Sequence, residues 1–151
     1  MNLRQYTAGA LAIAGAVLLA SGCGGTSCPT ETPAQIQKVG QCQATLGATV
    51  SVPVQLCPTC NQTGARCQVD ASSVASSGII QLDPTVEACD NVSTCSSPAP
   101  SCQVGPLMCA VTVPSNTTMS QITLAAFDPF SGQQVSGVIN IVPSGSSGCT
   151  L

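Results

Sequence analysis

Hydrophobic and polar residues alternate in several short segments of the chain, which is the pattern of a β-strand with one buried face. In Thr49–Leu56 (TVSVPVQL) every second residue is Val or Leu, and Leu107–Val113 (LMCAVTV) repeats the alternation with Leu, Cys, Val and Val. Pro53 interrupts the first segment. Because proline has no N–H to donate to a sheet, we predict that this strand lies at a sheet edge.

Four further segments predict strands joined by turns. Gln121–Phe127 and Gln134–Val142 flank the residues DPFSGQ, whose proline and glycine suit a hairpin loop. Arg66–Ala71 and Gly78–Leu82 are shorter candidates, and no segment has the period of a long helix. Six or seven short strands separated by turn residues predict an all-β fold, specifically an antiparallel β-sandwich.

The first 22 residues have the features of an export signal. Arg4 lies before an apolar run of 13 residues, Ala8–Ala20. This run is too short to cross a bilayer core of about 30 Å, which takes about 20 helical residues. We therefore predict that residues 1–22 are a signal peptide, which places the rest of the chain outside the cytosol.

Cys23 directly follows this leader. The three residues before it, Ala-Ser-Gly, suit ordinary signal cleavage, and the stretch Leu18–Cys23 (LLASGC) also resembles the lipobox of bacterial lipoproteins. The leucine of the lipobox is shifted, because Ala20 takes its usual place and Leu19 lies one residue earlier. The resemblance implies cleavage before Cys23 and its acylation, with palmitate as an expected acyl group. Of the 11 cysteines, ten would then remain, an even number that can pair completely.

The segments on either side of the predicted strands are small, polar and rich in proline, glycine or serine. Residues 23–33 predict a flexible, lipid-proximal tether, which at about 3.3 Å per residue reaches at most about 35 Å. Residues 34–143 form the predicted sandwich domain. Residues 144–151 predict a C-terminal tail that Cys149 is positioned to pin.

The composition indicates how such a domain is held together. The sequence has 11 cysteines and no histidine, with 2% aromatic residues, and only Phe127 and Phe130 carry a ring after the leader. The core must therefore consist of Val, Ile, Leu, Ala and Cys, and we predict that it is stapled by disulfide bonds formed in an oxidising compartment. The disulfide candidates are Cys28, Cys42, Cys57, Cys60, Cys67, Cys89, Cys95, Cys102, Cys109 and Cys149. Their connectivity stays open, although the spacing is compatible with local bridges such as Cys89–Cys95 and Cys102–Cys109.

The charge argues against nucleic acid as a partner. After residue 22 the chain has two basic side chains, Lys38 and Arg66, and six acidic ones, for a net charge of −4. Two cations cannot neutralise a phosphate backbone, and the rings that stack on bases are scarce.

The motif CPTC, Cys57–Cys60, is the sharpest chemical signal in the chain. In thioredoxin-like proteins the first cysteine of such a motif is a reactive thiolate at a helix N-terminus. The residues that follow, Asn61–Cys67 (NQTGARC), predict a turn and a strand. We therefore expect structural bridges and no enzymatic activity, with an extracytoplasmic thiol–disulfide oxidoreductase using Cys57 and Cys60 as the alternative.

Metal and hydrolytic sites find little support in the sequence. Without histidine there is no Ser-His-Asp triad, and a single C-x2-C motif lacks the second half of a zinc site. Asp83, Glu87 and Asp90 are a weak calcium candidate, because their spacing does not fit an EF-hand loop. We expect no cofactor.

Four segments resemble cohesin-like domains in their order along the chain: Leu46–Leu56, Ile79–Cys89, Gly105–Val113 and Val135–Val142. The last two are also similar to bacterial immunoglobulin-like domains. Both resemblances imply a β-sandwich with an adhesion, docking or spacer role. The ten cysteines depart from these families, and the dockerin-binding face of cohesins does not map onto named residues of this chain.

These observations predict an exported protein of the bacterial cell envelope, anchored by a lipid on Cys23 at the periplasmic or cell-surface side. Its expected role is that of a non-enzymatic binding, adhesion or structural module. The membrane is the expected partner through the N-terminal lipid, and a protein of the envelope is a candidate second partner.

Overall fold

The computed structural model describes residues 27–90, 102 and 105–151. This part of the chain forms ten strands and one short helix, in the order β1 Thr30–Pro33, β2 Ile36–Val39, β3 Gln41–Ala44, β4 Thr49–Leu56, β5 Gln62–Asp70, α1 Val74–Ser77, β6 Ile79–Ala88, β7 Leu107–Thr112, β8 Gln121–Asp128, β9 Gln133–Ile141 and β10 Gly148–Thr150. The prediction of an all-β fold is confirmed.

The strands form two sheets around a common core. Sheet A has the order β1-β6-β8-β9-β3-β10, with β5 pairing β6 in addition, and sheet B has the order β2-β4-β7. The chain therefore starts in sheet A with β1, crosses to sheet B with β2, and returns to sheet A with β3. β2 follows β1 after two residues and β3 follows β2 after one, so two short crossings link β2, an edge strand of sheet B, to strands on opposite sides of β6, β8 and β9 in sheet A.

The core consists of aliphatic side chains and cysteines, as predicted. The largest side chains that are fully buried are Ile80, Leu82, Ile122, Leu124 and Ile139 from sheet A, and Val52, Val54 and Val111 from sheet B. They belong to one hydrophobic cluster. Both phenylalanines lie outside it, since Phe127 is 55% and Phe130 62% exposed. The chain thus places its two described aromatic rings on the surface.

The strongest alternating segments form the predicted strands. β4 has the predicted bounds, and its alternate residues are buried. β8 and β9 form the predicted hairpin, in which Asp128 pairs with Gln133 across a loop of residues 129–132. Period-two alternation is therefore a reliable guide where it extends over six or more residues.

The predicted position of Pro53 at a sheet edge is wrong, because β4 lies between β2 and β7. In an antiparallel strand the N–H and the C=O of one residue point to the same neighbour. The carbonyl oxygen of Pro53 accepts a hydrogen bond from the N–H of Gly40, directly after the end of β2. Pro53 therefore lies at the position where the hydrogen-bond ladder between β4 and β2 ends, and the N–H that proline lacks is not needed to continue it.

The prediction of an antiparallel architecture is also wrong for sheet A, in which β3 pairs β9 and β6 pairs β8 in parallel. The reason for the second pairing lies in the chain path. β7 follows β6 along the chain but lies in sheet B. The next strand in sheet A is β8, which therefore runs parallel to β6. Sheet A is consequently mixed, whereas sheet B is antiparallel.

The predicted tether is shorter than its assigned range, residues 23–33. Residues 30–33 form β1, in which Thr30 lies opposite Ala88 of β6. Cys28 is bonded to Cys89, so the chain is already fixed to the sheet before β1 begins. Cys23 and the other residues of the predicted signal peptide and tether before Ser27 lie outside the described residues.

The predicted tail, residues 144–151, likewise contributes to the fold. Residues 148–150 form β10, which pairs β3 with Cys149 opposite Cys42. These two cysteines form a disulfide bond. The expected pinning by Cys149 therefore takes the form of an additional edge strand.

Three backbone segments meet closely where the chain returns from β2 to β3. A Cβ atom on Gly40 would lie 2.6 Å from Cγ of Pro53. A Cβ atom on Gly137 of β9 would lie 2.2 Å from the carbonyl oxygen of Gly40 and 2.8 Å from Cγ1 of Val39. Only glycine leaves room for these contacts, and both glycines are buried.

Candidate functional site

The disulfide bonds join cysteines that are distant in sequence. Within the described residues they are Cys28–Cys89, Cys42–Cys149, Cys57–Cys102 and Cys67–Cys109. Cys60 is disulfide-bonded as well, and Cys95 lies outside the described residues. The expected local bridges Cys89–Cys95 and Cys102–Cys109 are wrong, because neighbouring strands and loops bring other partners closer. The protein is therefore disulfide-rich, as predicted.

The two cysteines of the CPTC motif are not joined to each other. Cys57 is bonded to Cys102 and is only 3% exposed. The residues that follow Cys60 form a turn and then β5, as expected. Within the described part of the chain the only helix is α1, which begins at Val74. Cys57 therefore lacks the helix N-terminus that activates a thiolate in a thioredoxin-like site.

The three carboxylates of the calcium candidate are not gathered around one point. Asp83 and Glu87 lie four residues apart on β6, a separation of about 13 Å along a strand. Glu87 accepts a hydrogen bond from Nη2 of Arg66 at 2.7 Å, and Asp90 lies beyond the end of β6. Among the described residues no group of three His, Cys, Asp or Glu side chains is placed to hold a metal ion.

Two surface grooves lie at opposite ends of the β8–β9 hairpin. The hairpin end comprises the loop 129–132, the junction of β1 and β2, and the C-terminal end of β6. The groove end comprises the loops 45–48, 114–120 and 142–147. β8 runs eight residues from the groove end to the hairpin end, a length of about 25 Å.

Asp128 organises the loop at the hairpin end. It is 4% exposed, and its Oδ1 accepts hydrogen bonds from the N–H of Phe130 at 3.3 Å and of Ile36 at 3.4 Å. Its Oδ2 accepts one from the N–H of Ser131 at 3.0 Å. Burial opposes ionisation of this carboxyl, but the hydrogen bonds from Ser131, Phe130 and Ile36 outweigh burial and hold its pKa below the ordinary value. One buried carboxylate thus links the hairpin loop to the first residue of β2.

A shallow apolar groove of about 300 Å³ lies beside this loop. Its lining includes Pro33 of β1, Ala88 of β6, and Pro129 and Phe130 of the loop. Since Asp128 fixes the backbone at Phe130, the exposed ring projects from an ordered loop.

The groove end carries a larger groove of about 430 Å³. Its lining is mostly apolar and includes Leu46, Met119, Ile141, Val142 and Pro143. Leu46 is 46% exposed, although large aliphatic side chains are usually buried. The N–H of Val142 donates to the carbonyl of Ala44, which holds two of the lining segments together.

Leu46 is flanked by a turn that presents its side chain to solvent. Gly47 has a φ of 73°, in the left-handed region that glycine adopts without strain. The N–H of Gly47 donates to the carbonyl of Val113, and the N–H of Ala48 to that of Thr45. Exposure of Leu46 is therefore a property of an ordered turn between β3 and β4.

No helix in the described ranges is long and apolar enough to cross a membrane. Protein-family models, curated proteins and solved structures were compared with the chain, and none gives a significant match. The fold and the bonded cysteines define a disulfide-rich all-β protein, and they are consistent with an exported protein.

The sequence interpretation missed both grooves. Leu46 and Met119 lie 73 positions apart and meet only because β3, β8 and β9 are neighbours in sheet A. Phe130 is different, because its place in the DPFSGQ loop already indicated that its ring lies outside the alternating strands. That signal could have identified the hairpin end as a candidate surface.

Proposed function

We propose that the protein is an exported, lipid-anchored module of the bacterial cell envelope that binds an envelope protein through its groove end and has no catalytic activity. The observation that carries this proposal is the ordered apolar groove around Leu46 and Met119, at the end of the molecule away from its N-terminal segment. A module held at a bilayer by its N-terminal segment would present this end to partners, and large contiguous apolar patches on soluble domains mark interaction sites.

Export is supported by the oxidation of the cysteines. All nine cysteines of the described residues are disulfide-bonded, and disulfides are maintained in oxidising compartments. The lipid anchor is supported by the lipobox-like stretch that ends at Cys23. The acyl chains would hold the N-terminal segment at a bilayer.

The fold supports assignment to the immunoglobulin-like or cohesin-like β-sandwiches. Two sheets share one hydrophobic cluster, and the chain crosses from one sheet to the other between β1 and β2. The parallel pairs β3–β9 and β6–β8 are departures from a purely antiparallel sandwich.

Membrane fractionation tests the anchor. The wild-type protein is expected in the membrane fraction, and Cys23→Ser is expected in the soluble fraction. Ser27→Ala, a substitution in the same segment that leaves Cys23 intact, is the matched control. Retention of Cys23→Ser in the membrane would contradict the lipid anchor.

Site-specific photo-crosslinking in intact cells tests the groove. A photoreactive amino acid at Leu46 is expected to give a discrete adduct with one protein, because the side chain lies in the proposed contact. The same amino acid at Gln134, exposed on β9 outside this groove, is the control. Equal adducts at both positions, or none at Leu46, would count against the groove as the binding site.

Thiol labelling tests the alternative function, a thiol–disulfide oxidoreductase. A thiol–disulfide oxidoreductase using Cys57 and Cys60 would expose thiols to an alkylating reagent after brief treatment with a mild reductant. We expect the buried Cys57–Cys102 bond to resist such treatment until the domain unfolds. Selective labelling of Cys57 and Cys60 in the folded protein would favour the enzyme.

A further inference from the structure

The hairpin end exposes an aromatic side chain that the fold does not use. Phe130 is 62% exposed and, together with Pro129, lines the apolar groove beside β1 and β6. Asp128 holds the backbone of this loop in place. An exposed ring on an ordered loop is suited to insertion into another apolar phase, because little conformational freedom is lost on contact.

The N-terminal segment leaves the domain beside this ring. Ala88 lines the groove with Phe130, and the next residue, Cys89, is bonded to Cys28. The N–H of Asp90 also donates to the carbonyl of Ser27 at 2.8 Å. The path towards Cys23 therefore starts at the hairpin end.

The length of this path limits how far the hairpin end can be from an anchored Cys23. Five residue steps separate Cys23 from Cys28, and a fully extended chain covers at most about 17 Å over that distance. The strand length of about 25 Å separates the groove end from the hairpin end. A lipid on Cys23 thus brings the hairpin end, and not the groove end, to the bilayer surface.

We infer that the hairpin end docks on the bilayer surface and that Phe130 inserts between lipid headgroups, which fixes the orientation of the domain. This inference rests on the proposed lipid anchor. Phenylalanine, like tryptophan and leucine, is a residue that peripheral membrane elements bury at the boundary between headgroups and acyl chains. The orientation directs the groove around Leu46 away from the membrane.

The charges near the hairpin end specify which kind of lipid surface fits. Glu31 and Glu87 face each other across β1 and β6, and Arg66 pairs with Glu87. Asp90 adds a further carboxylate beyond β6. Among the described residues this surface has no cluster of basic side chains, so contact is expected through apolar insertion into zwitterionic lipid and not through attraction to anionic headgroups.

Tryptophan fluorescence can report the insertion, because the chain contains no tryptophan. Phe130→Trp places an indole at the hairpin end, and Leu46→Trp, at a site 46% exposed, places the matched control at the groove end. Each full-length variant is expressed with its leader, purified from membranes, and reconstituted into phosphatidylcholine vesicles that carry brominated acyl chains. Flotation identifies the vesicle-bound protein.

In the floated fraction, the indole at position 130 is expected to shift its emission to shorter wavelength and to be quenched by the brominated chains, as for a group about 5–10 Å deep in the interface. The indole at position 46 is expected to keep its aqueous emission. Floated protein with no quenching at position 130, or with equal quenching at both positions, would overturn the inference.

The two proposals fail in different ways. If the purified protein does not float, the lipid anchor is wrong, whatever the fluorescence shows. The Cys23 thiol is then coupled to a maleimide phospholipid, and the same comparison between positions 130 and 46 still decides whether the hairpin end inserts. A hairpin end that binds a protein in place of lipid would leave the indole at position 130 unquenched, because these vesicles contain no other protein.

Discussion

Replacement of Gly137 by alanine is expected to destabilise the domain strongly. The added Cβ would lie 2.2 Å from the carbonyl oxygen of Gly40, a backbone atom, and 2.8 Å from Val39. Gly40 cannot retreat easily, because its N–H donates to Pro53 at 2.8 Å and its own α-carbon faces the proline ring. Relief of the clash therefore requires β3 and β9 to separate.

The expected loss follows from this geometry. Additional methyl groups in a packed core cost about 1–3 kcal/mol when side chains can adjust. Here the added methyl group meets a backbone carbonyl oxygen, which cannot adjust as a side chain does. We therefore expect the free energy of unfolding to fall by about 3 kcal/mol, the top of that range. In a domain of about 120 residues each kcal/mol lowers Tm by about 4 °C, so a shift of about 10 °C or slightly more is expected.

Thermal and urea unfolding of the oxidised protein, followed by circular dichroism, measures this loss. Gly148→Ala is the matched control, because a Cβ at Gly148 of β10 meets no atom within 4 Å. The control is expected to unfold within about 0.5 kcal/mol of the wild type. If Gly137→Ala is as stable as Gly148→Ala, the close approach of β9 to the β2–β3 crossing is not present in solution.

Three further predictions address the hairpin loop, the surface charges and the disulfides. Asp128→Asn should lower the free energy of unfolding by about 1–3 kcal/mol at neutral pH. The pKa of Asp128 is lowered in the folded protein, so its stabilisation is complete above the ordinary carboxyl range and is lost as the pH falls through the folded pKa. The acid unfolding profiles of the wild type and the variant should therefore converge at low pH. Arg66→Ala should change stability by less than about 1 kcal/mol in urea unfolding, since the Arg66 side chain is 67% and its partner Glu87 29% exposed. Joint replacement of Cys67 and Cys109 by serine should cost about 3 kcal/mol in the same assay, because the intact Cys57–Cys102 bond shortens the additional loop that Cys67–Cys109 closes to about 17 residues. Each prediction has a result that would contradict it. For Asp128→Asn it is a variant as stable as the wild type at every pH, and for Arg66→Ala it is a large loss of stability. For the double cysteine variant it is an unchanged urea midpoint.

The sequence predicted the long strands because burial of one face leaves a period of two in the chain. Thr49–Leu56 shows this directly, since the predicted and observed bounds of β4 coincide. β3 also alternates between exposed and buried residues, but its four residues, QCQA, are too few to stand out from the sequence around them. A strand as short as β3 therefore cannot be recognised from the alternation of its residues alone.

Strand direction and disulfide pairing could not be predicted for a different physical reason. Alternation reports which face of a strand is buried, and it is the same for parallel and antiparallel neighbours. The parallel pair β6–β8 depends on the placement of β7 in the other sheet. Cys67 and Cys109 likewise meet because β5 and β7 lie at adjoining sheet edges.

The candidate site was predictable only in part. The DPFSGQ loop marked Phe130 as lying outside the strands, but the groove beside it needs Ala88 and Pro33 from distant segments. The groove end depends on the exposure of Leu46. A single exposed leucine cannot be told from a buried one in the sequence, because leucines occur at both kinds of position. The spacing of Asp83, Glu87 and Asp90 along the chain was misleading. A loop could have placed these carboxylates around one cation, but β6 is extended and holds Asp83 and Glu87 apart.

The long spans of the disulfide bonds determine the order in which the protein can mature. A chain that appears N-terminal end first exposes Cys28 and Cys42 well before their partners, which follow 61 and 107 residues later. During that interval oxidation can join early cysteines only to non-native neighbours, such as those of the CPTC motif. The native set of disulfides is therefore complete only after Cys149 has appeared, and early mispaired sulfurs must be reshuffled by thiol–disulfide exchange. Yield of the native protein should depend on an isomerase more than on the oxidant itself.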